Sequence, residues 1–321
     1  MPTTLRVAAV QMEAAVGDVD SNLEMAEELV RSAAAEGATW VVLPEFFSTG
    51  VANRPELRDG AADADDGAPT VLLRELAGEL GIHLGGSTLV RDDDGHVRNA
   101  FLLAGPEGEL LGRHDKDLPT MWENALYVGG SDPGRLQASG LTVGVALCWE
   151  LLRTATAERL AGRVDLVLGG SGWWSIPTWP PRPLTRRLER ANHERAVRAP
   201  AHFAPFVGAP VVHAAHAGPL ACPWPLAGCV YSGRYAGGAA VYGADGRTLA
   251  LRRRDEGPGL AVAEVTPGRT TPAPLPDRFW LQPRGAVAAA AWAYQNPVGR
   301  REYRREHRRH LDRAAAAWSA R

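Results

Sequence analysis

The sequence predicts an α/β fold. Short apolar runs of strand length recur along the chain, and amphipathic stretches of helical length separate many of them. Charged or reactive side chains directly follow several of these runs, the position at which open α/β sheets carry their functional groups. The length of 321 residues fits one large α/β domain with a tail as well as it fits two domains.

The first half of the chain contains two predicted helices among five predicted strands. Residues 20–35 carry apolar side chains at helical spacing, with Asp20 or Ser21 as the N-cap, and residues 68–80 form the second helix. Apolar runs predict strands at residues 5–11, 39–43, 82–89, 97–104 and 109–113.

The second half repeats the alternation and ends in an extension. Strands are predicted at residues 141–147, 164–168, 211–215, 239–242, 247–252 and 260–265, and helices at 154–161 and 184–207. Residues 266–283 hold five prolines and predict an extended arm outside the core. Residues 300–321 hold eight arginines against three acids, which predicts a solvated helix with a basic face, or one that contacts a subunit or an acidic partner.

Composition excludes several classes of protein. The net charge of −2 argues against nucleic-acid binding, which needs a positive excess. No apolar run reaches the roughly 18–20 residues of a membrane span, and no signal peptide is visible before the first predicted strand. Three cysteines are too few for a disulfide framework and suit a reducing compartment. We therefore expect a cytoplasmic protein that binds neither nucleic acid nor membrane.

Lys116 is the only lysine among 35 Lys and Arg residues. Lysine places one compact, rotatable ammonium where arginine places a wide planar fork, so a retained lysine marks a site where the two are not equivalent. A surface lysine that drift has left in place is the alternative, and the two explanations are about even for this residue alone.

Three reactive residues follow three predicted strands. Glu45 lies between Pro44 and two phenylalanines, and such apolar flanks favour a desolvated carboxylate that can take up a proton. Cys148 stands between a strand and a helix, where backbone N–H groups favour a thiolate. With Lys116 they predict a base, a nucleophile and a cation for the charge that develops on the attacked group.

Each of these residues also has a structural explanation. A carboxylate can cap a loop, and a lone cysteine is most often a buried structural residue. Glu123 is a second carboxylate, seven residues after Lys116, that could orient both the lysine and the base.

The residues together resemble the nitrilase superfamily of carbon–nitrogen hydrolases, over roughly residues 5–265. The resemblance rests on Leu43-Pro44-Glu45-Phe46-Phe47, on Lys116-Asp117-Leu118-Pro119-Thr120 with Glu123, and on the segment 143–150 that ends in Cys148-Trp149-Glu150. The order and spacing, 71 residues from Glu45 to Lys116 and 32 more to Cys148, make the combination specific.

The resemblance implies a four-layer α-β-β-α sandwich of the nitrilase/carbon–nitrogen hydrolase type. It implies a hydrolase domain in residues 1–268 and an extension in 269–321, with a homodimer or a higher homo-oligomer that the extension helps to form. Cys148 would be the nucleophile, Glu45 the general base and Glu123 the auxiliary carboxylate. Lys116, with the backbone N–H of Trp149, would bind the oxyanion. No metal or organic cofactor is expected.

The segment after the cysteine departs from the common amidase pattern, because Leu151-Leu152-Arg153-Thr154 follows Cys148-Trp149-Glu150. We therefore expect a small-molecule amide or carbamoyl substrate first and a nitrile second. An amine acceptor in place of water would make the protein an acyltransferase.

By the resemblance, five tryptophans are predicted in or near the segments that surround the nucleophile: Trp122, Trp149, Trp173, Trp174 and Trp224. Residues 169–174, which include Ser171, should form one wall of the pocket, so an apolar or aromatic acyl group is expected against the rings. Core packing is the alternative for at least half of the tryptophans. The predicted substrate-binding residues are Trp122, Trp149, Ser171, Trp173 and Trp174.

Other arrangements fit less well. His213 and His216 with Cys222 and Cys229 could suggest zinc, but residues three apart in a strand point to opposite faces. A papain-like pairing of Cys148 with either histidine leaves Lys116 without a role. A non-catalytic scaffold is opposed by the four filled catalytic positions.

Overall fold

The computed structural model describes residues 4–177, 180–224 and 229–319, with side chains described as far as residue 309. Within these residues, no helix combines the length and the apolar character that a membrane crossing needs. The α-helices in the described part of the chain are α1 (Val19–Ala35), α2 (Ala68–Leu80), α3 (Thr154–Leu160), α4 (Arg182–Val207) and α5 (Ala286–Ser319).

Fourteen strands are numbered in chain order. The first seven are β1 (Leu5–Met12), β2 (Trp40–Val42), β3 (His83–Arg91), β4 (Val97–Ala104), β5 (Leu110–Asp115), β6 (Arg135–Ala138) and β7 (Leu141–Val145). The others are β8 (Leu166–Ser171), β9 (Val211–His216), β10 (Pro219–Pro223), β11 (Val230–Arg234), β12 (Ala239–Tyr242), β13 (Thr248–Arg252) and β14 (Gly259–Val265).

Twelve strands form one sheet in the order β5-β4-β3-β2-β1-β9-β8-β7-β6, with β14 beside β1 and with β12 beside β9 and β13. β1 and β9 pair only through their last residues, Gln11 with Ala215 and Met12 with His216. The sheet therefore divides at this point into two halves, whose apolar faces pack on each other through residues such as Val42 and Val212.

Helices cover the outer face of each half. α1 and α2 pack on the first half, where Val30 and Leu73 are fully buried. α3 and α4 pack on the second half, where Leu160 and Phe203 are fully buried. The four layers are helix, sheet, sheet and helix, which confirms the predicted α-β-β-α sandwich.

Some predicted boundaries were wrong. The N-cap of α1 is Asp18, whose carboxylate accepts from the backbone N–H of Ser21, and not Asp20 or Ser21. The short strands β6, β10 and β11 were not predicted. The last helix begins at Ala286 rather than at residue 300, because the alanine-rich first turns carry no charge pattern that marks them.

The proline-rich arm lacks regular structure from residue 266 to residue 279, as predicted. Its end enters the core, contrary to the prediction, because Leu281 is buried and Trp280 forms a β-bridge with Arg153. The arginines of α5 up to residue 309 are exposed, which fits the predicted basic face. The side chains of residues 310–321 lie outside the described residues.

Candidate active site

Glu45 lies just beyond β2, at the edge of the sheet where β5, β7 and β8 also end. Its Oε1 accepts from Asn99 Nδ2 at 2.9 Å and from Lys116 Nζ at 2.8 Å, and its Oε2 accepts from the backbone N–H of Gly172 at 3.0 Å. His216 Nε2 donates to the Glu45 carbonyl at 2.8 Å. The side chain is fully buried, so these donors hold the carboxylate in one orientation.

The backbone of β8 passes directly behind this carboxylate. A Cβ at Gly170 would lie 2.8 Å from the backbone nitrogen of Glu45, and one at Gly172 would lie 2.4 Å from Val51 Cγ1. Only glycine permits this approach, which gives a physical reason for the glycine-rich run that the sequence predicts as a pocket wall.

Lys116 directly follows β5 and is fully buried. Its Nζ lies 2.8 Å from Glu45 Oε1 and 2.7 Å from Glu123 Oε2. Burial by itself would lower the pKa of this ammonium, but the carboxylates of Glu123 and Glu45 hold that pKa well above its ordinary value. A permanent positive charge therefore bridges the two carboxylates.

Glu123 belongs to the 3-10 helix Met121–Ala125. Besides Lys116, its Oε2 accepts from the backbone N–H of Thr120 at 3.0 Å and from Tyr127 Oη at 2.6 Å. Burial raises the pKa of Glu123 to about 7, with Lys116 acting against the rise. This carboxylate is aimed at the ammonium and not at the solvent.

Cys148 follows β7 and begins the 3-10 helix Cys148–Leu152, with a φ of 48° that few L residues adopt. Its Sγ and carboxylate oxygens of Glu45 and Glu123 lie within 4.8 Å of one another. The predicted preference for a thiolate was wrong: burial and the Glu45 carboxylate raise the pKa of Cys148 well above its usual range. The resting group is a thiol beside a proton acceptor.

A second buried ion pair joins the loop that carries Lys116 to the loop that carries Cys148. The sequence analysis did not identify this ion pair. Glu150 accepts from the backbone N–H of Leu147 at 2.9 Å and from that of Asp117 at 3.0 Å, which are the neighbours of Cys148 and Lys116. Its Oε2 lies 3.2 Å from His114 Nε2. Although burial opposes it, Glu150 and Asp132 raise the pKa of His114 to about 10.

Cys148 opens into a cavity of about 60 Å³ with mainly apolar walls, to which five aromatic residues contribute. Three of the predicted substrate-binding residues, Trp149, Trp173 and Trp174, line it. Trp122 lies behind this wall instead, stacked on Trp174 with 4.2 Å between ring centroids. Ser171 also lies away from the lining, and its hydroxyl meets His213 Nε2 at 3.1 Å.

Trp224, which the sequence also predicts near the nucleophile, lines the cavity as well. Other lining residues come from segments that the sequence did not single out, with Tyr231 from β11 and Val287, Ala288, Ala291 and Gln295 from the start of α5. Their separation from Cys148 in the chain leaves no local signal. Asn99 and Tyr127, which contact the two carboxylates, were missed for the same reason.

The two histidines have structural partners. Burial lowers the pKa of His213 to about 3 and that of His216 to about 4, so both rings are neutral. Among the described residues, one group of three or more metal-ligating side chains comes together, formed by Glu45, Glu123 and Cys148. The Lys116 ammonium already occupies the cation position between these two carboxylates.

Fold and site together define a class of protein, an α-β-β-α sandwich with a buried Glu-Lys-Cys cluster at one sheet edge. The family model for carbon–nitrogen hydrolases matches residues 6–275. The chain therefore belongs to the carbon–nitrogen hydrolase family, within the nitrilase superfamily.

Relatives with assigned names include a nitrilase of Pyrococcus abyssi, 31% identical over 49% of this chain and 60% of that protein. The omega-amidase of Mus musculus is 30% identical over 56% of this chain and 67% of that protein. Nitrilase 3 of Arabidopsis thaliana is 32% identical over 48% of this chain and 51% of that protein. The chain thus spans between half and two thirds of the length of these relatives.

Solved structures share the fold. The amidase from Nesterenkonia sp. AN1 superposes with a TM-score of 0.64 at 23% identity, covering 81% of this chain and 92% of that one. A carbon–nitrogen hydrolase from Helicobacter pylori G27 superposes with a TM-score of 0.68 at 17% identity, covering 83% and 90%.

Proposed function

We propose that this protein hydrolyses a small-molecule amide or carbamoyl compound through a thioester on Cys148, with release of ammonia or an amine. The observation that carries the proposal is the Lys116 ammonium held between Glu45 and Glu123 beside the Cys148 thiol. A nucleophile, a proton acceptor and a fixed positive charge are the groups that acyl transfer requires.

In the first half-reaction, Glu45 takes the proton of the thiol as Sγ attacks the carbonyl carbon of the substrate. Proton removal has to accompany the attack because the raised pKa of Cys148 disfavours a free thiolate. The new oxyanion is held by Lys116 and by the backbone N–H of Trp149, which lies in the first turn of a helix where N–H groups have no partner within the helix. Glu45 then protonates the leaving nitrogen, and the C–N bond breaks to give the thioester.

In the second half-reaction, Glu45 takes a proton from water, whose oxygen attacks the thioester carbonyl. The acid product leaves as the proton returns to the sulfur. Glu123 acts by keeping the ammonium in position, since its carboxylate accepts from Lys116 Nζ, and Tyr127 acts by donating its hydroxyl hydrogen to that carboxylate.

The aromatic walls favour an acyl group that is apolar or aromatic. Relatives support an amide: a variant of the Nesterenkonia amidase was solved with butyramide. A nitrile is the second candidate, because the matched relatives include named nitrilases and because this chain has Cys148-Trp149-Glu150.

We also propose that residues 1–268 are the hydrolase domain and that the extension 269–321 takes part in a homo-oligomer. Analytical ultracentrifugation of the full chain and of a chain ending at residue 309 tests this proposal. An unchanged oligomer would exclude residues 310–321 from the contact.

Intact-mass measurement of wild type and Cys148→Ala, after exposure to amides, carbamoyl compounds and nitriles, tests the main proposal. We expect an acyl adduct and ammonia release in wild type and neither in Cys148→Ala. Ammonia release undiminished in Cys148→Ala would overturn the mechanism. Acid and ammonia from nitriles but not from amides would favour the second candidate.

A further inference from the structure

The first turns of α5 form one wall of the active-site cavity, although they lie beyond residues 6–275 that match the family. The lining residues from α5 are the apolar Val287, Ala288 and Ala291 and the polar Gln295, which also lines a neighbouring cavity beside Trp122. A segment outside the common domain therefore contributes to the pocket that holds Cys148. Such a segment is well placed to set the substrate specificity of this chain.

α5 is fixed to the catalytic segments by a hydrogen bond and by an aromatic stack. Asn296 Oδ1 accepts from the backbone N–H of Met121 at 2.8 Å, one residue after the catalytic loop that ends at Thr120. Trp292 stacks on Trp149 with a centroid distance of 5.5 Å and an interplanar angle of 4°. Because the helix contacts both sides of the site, its lining residues have defined positions relative to Cys148.

The polar groups that line the cavity fall into two sets. In the first set the hydrogen bonds are made within the protein. Asn192 accepts from Trp173 Nε1 and donates to a backbone carbonyl, and the hydroxyls of Ser175 and Tyr231 bond to each other. Among the described residues, none is a hydrogen-bond partner for Gln295 Oε1 or Thr120 Oγ1, and the two residues are 2% and 1% exposed. A buried acceptor without a partner is costly, so such groups call for a functional explanation.

The charge of the lining limits what can satisfy Gln295. Among the described residues that line the cavity, no side chain is a Lys, Arg, Asp or Glu. A carboxylate or an ammonium on the acyl group would enter this space without a counter-charge, at a large desolvation cost. A neutral donor, such as a hydroxyl or an amide N–H, carries no such cost.

We propose that Gln295 determines specificity by accepting, through Oε1, a hydrogen bond from a neutral donor on the acyl group of the substrate. The substrate class is then an amide with an apolar or aromatic body that ends in a hydroxyl or N–H group. Thr120, four residues after Lys116, lines the cavity from the side of the catalytic lysine, and Gln295 lines it from α5. This inference rests on the proposed amide hydrolysis.

The test compares wild type, Gln295→Leu and Gln295→Met on two substrate series. One series is benzamide with its 3- and 4-hydroxy and 3- and 4-methoxy derivatives, and the other is hexanamide with its 6-hydroxy and 6-methoxy derivatives. The methoxy compounds keep the oxygen and lose the donor. Gln137→Leu is the matched control, because Gln137 is an exposed residue of β6.

In wild type we expect kcat/KM for at least one hydroxy compound to exceed that of its methoxy and unsubstituted partners by about tenfold, as one satisfied hydrogen bond allows. In both Gln295 variants the preference should fall to about one, mainly through KM, while Gln137→Leu keeps it. Melting temperatures of the Gln295 variants should not fall, because an apolar side chain leaves no unpaired acceptor. A merely structural glutamine would instead lower the melting temperature and leave the preference intact.

Equal turnover of hydroxy and methoxy compounds by wild type would overturn the inference, and so would a preference that survives in Gln295→Leu. The second result would mean that a water, for example one shared with the unpartnered Trp122 Nε1, satisfies the amide. Failure of the proposed function looks different, since no compound would then give Cys148-dependent ammonia release.

Discussion

Replacing the only lysine by arginine tests the oxyanion role most directly. Lys116→Arg keeps the positive charge between Glu45 and Glu123 but replaces one compact donor by a planar fork. The site has no spare room, since the Lys116 side chain is fully buried and its Nζ lies 2.8 and 2.7 Å from the two carboxylates. We expect the guanidinium to engage the carboxylates and to miss the position of the oxyanion.

Lys116→Arg should have two effects, one on catalysis and one on stability. Loss of one oxyanion donor costs about 2.7–4 kcal/mol of transition-state stabilisation, or about 10²–10³ in kcat. Overpacking of a buried site costs about 1–3 kcal/mol of folding free energy. Lys116→Met should cost more stability, about 3–5 kcal/mol, because it leaves two buried carboxylates without their cation.

The assay is the steady-state rate of ammonia release, measured beside urea unfolding of each variant. The control is Arg301→Lys, an exchange of the same two residue types at an exposed position of α5, which should change neither quantity. A kcat for Lys116→Arg within about fivefold of wild type would refute the argument that Lys116 binds the oxyanion. A Lys116→Met variant as stable as wild type would refute the argument for charge compensation.

Two predictions concern pH. Tyr127→Phe removes a hydrogen bond that favours the charged form of Glu123, so the pKa of Glu123 should rise above about 7. The acidic limb of the kcat/KM profile should then move to higher pH. The control Tyr294→Phe, at an exposed residue, should leave that limb in place. An unmoved limb in Tyr127→Phe would contradict the role of Tyr127 in lowering the pKa of Glu123. His114, whose pKa is raised from 6.5 to about 10, stabilises the fold fully below about pH 6.5, and this contribution is lost as the pH rises through about 10. Urea midpoints of wild type should fall over this range while those of His114→Asn stay flatter, and parallel curves for the two proteins would count against the ion pair.

Much of the fold follows from local sequence. The apolar periods of the strands and helices predict the alternation of elements, and residues that follow strands place Glu45, Lys116 and Cys148 at one edge of the sheet. Resemblance to a family then gives the four layers. Short edge strands such as β6 lack a long enough pattern to be recognised, and the uncharged start of α5 lacks the amphipathic contrast that marks a surface helix.

The environment of the reactive groups depends on tertiary contacts that the sequence does not show. The apparent helix start beside Cys148 suggested a thiolate, but burial near Glu45 outweighs a few N–H dipoles and leaves a thiol. Likewise the sequence shows Glu150 only as part of the Cys148-Trp149-Glu150 motif. Its contacts with His114 and with the loops of Lys116 and Cys148 form only in the folded protein.

The sequence by itself determined which chemical groups this protein possesses and the edge of the sheet to which they belong, because both depend on residue type and local period. Only the tertiary structure decided which groups carry charge and what shape the cavity has. Charge depends on burial and on partners distant in the chain, as for Lys116 with Glu45. One wall of the cavity comes from α5, which lies more than a hundred residues after Cys148.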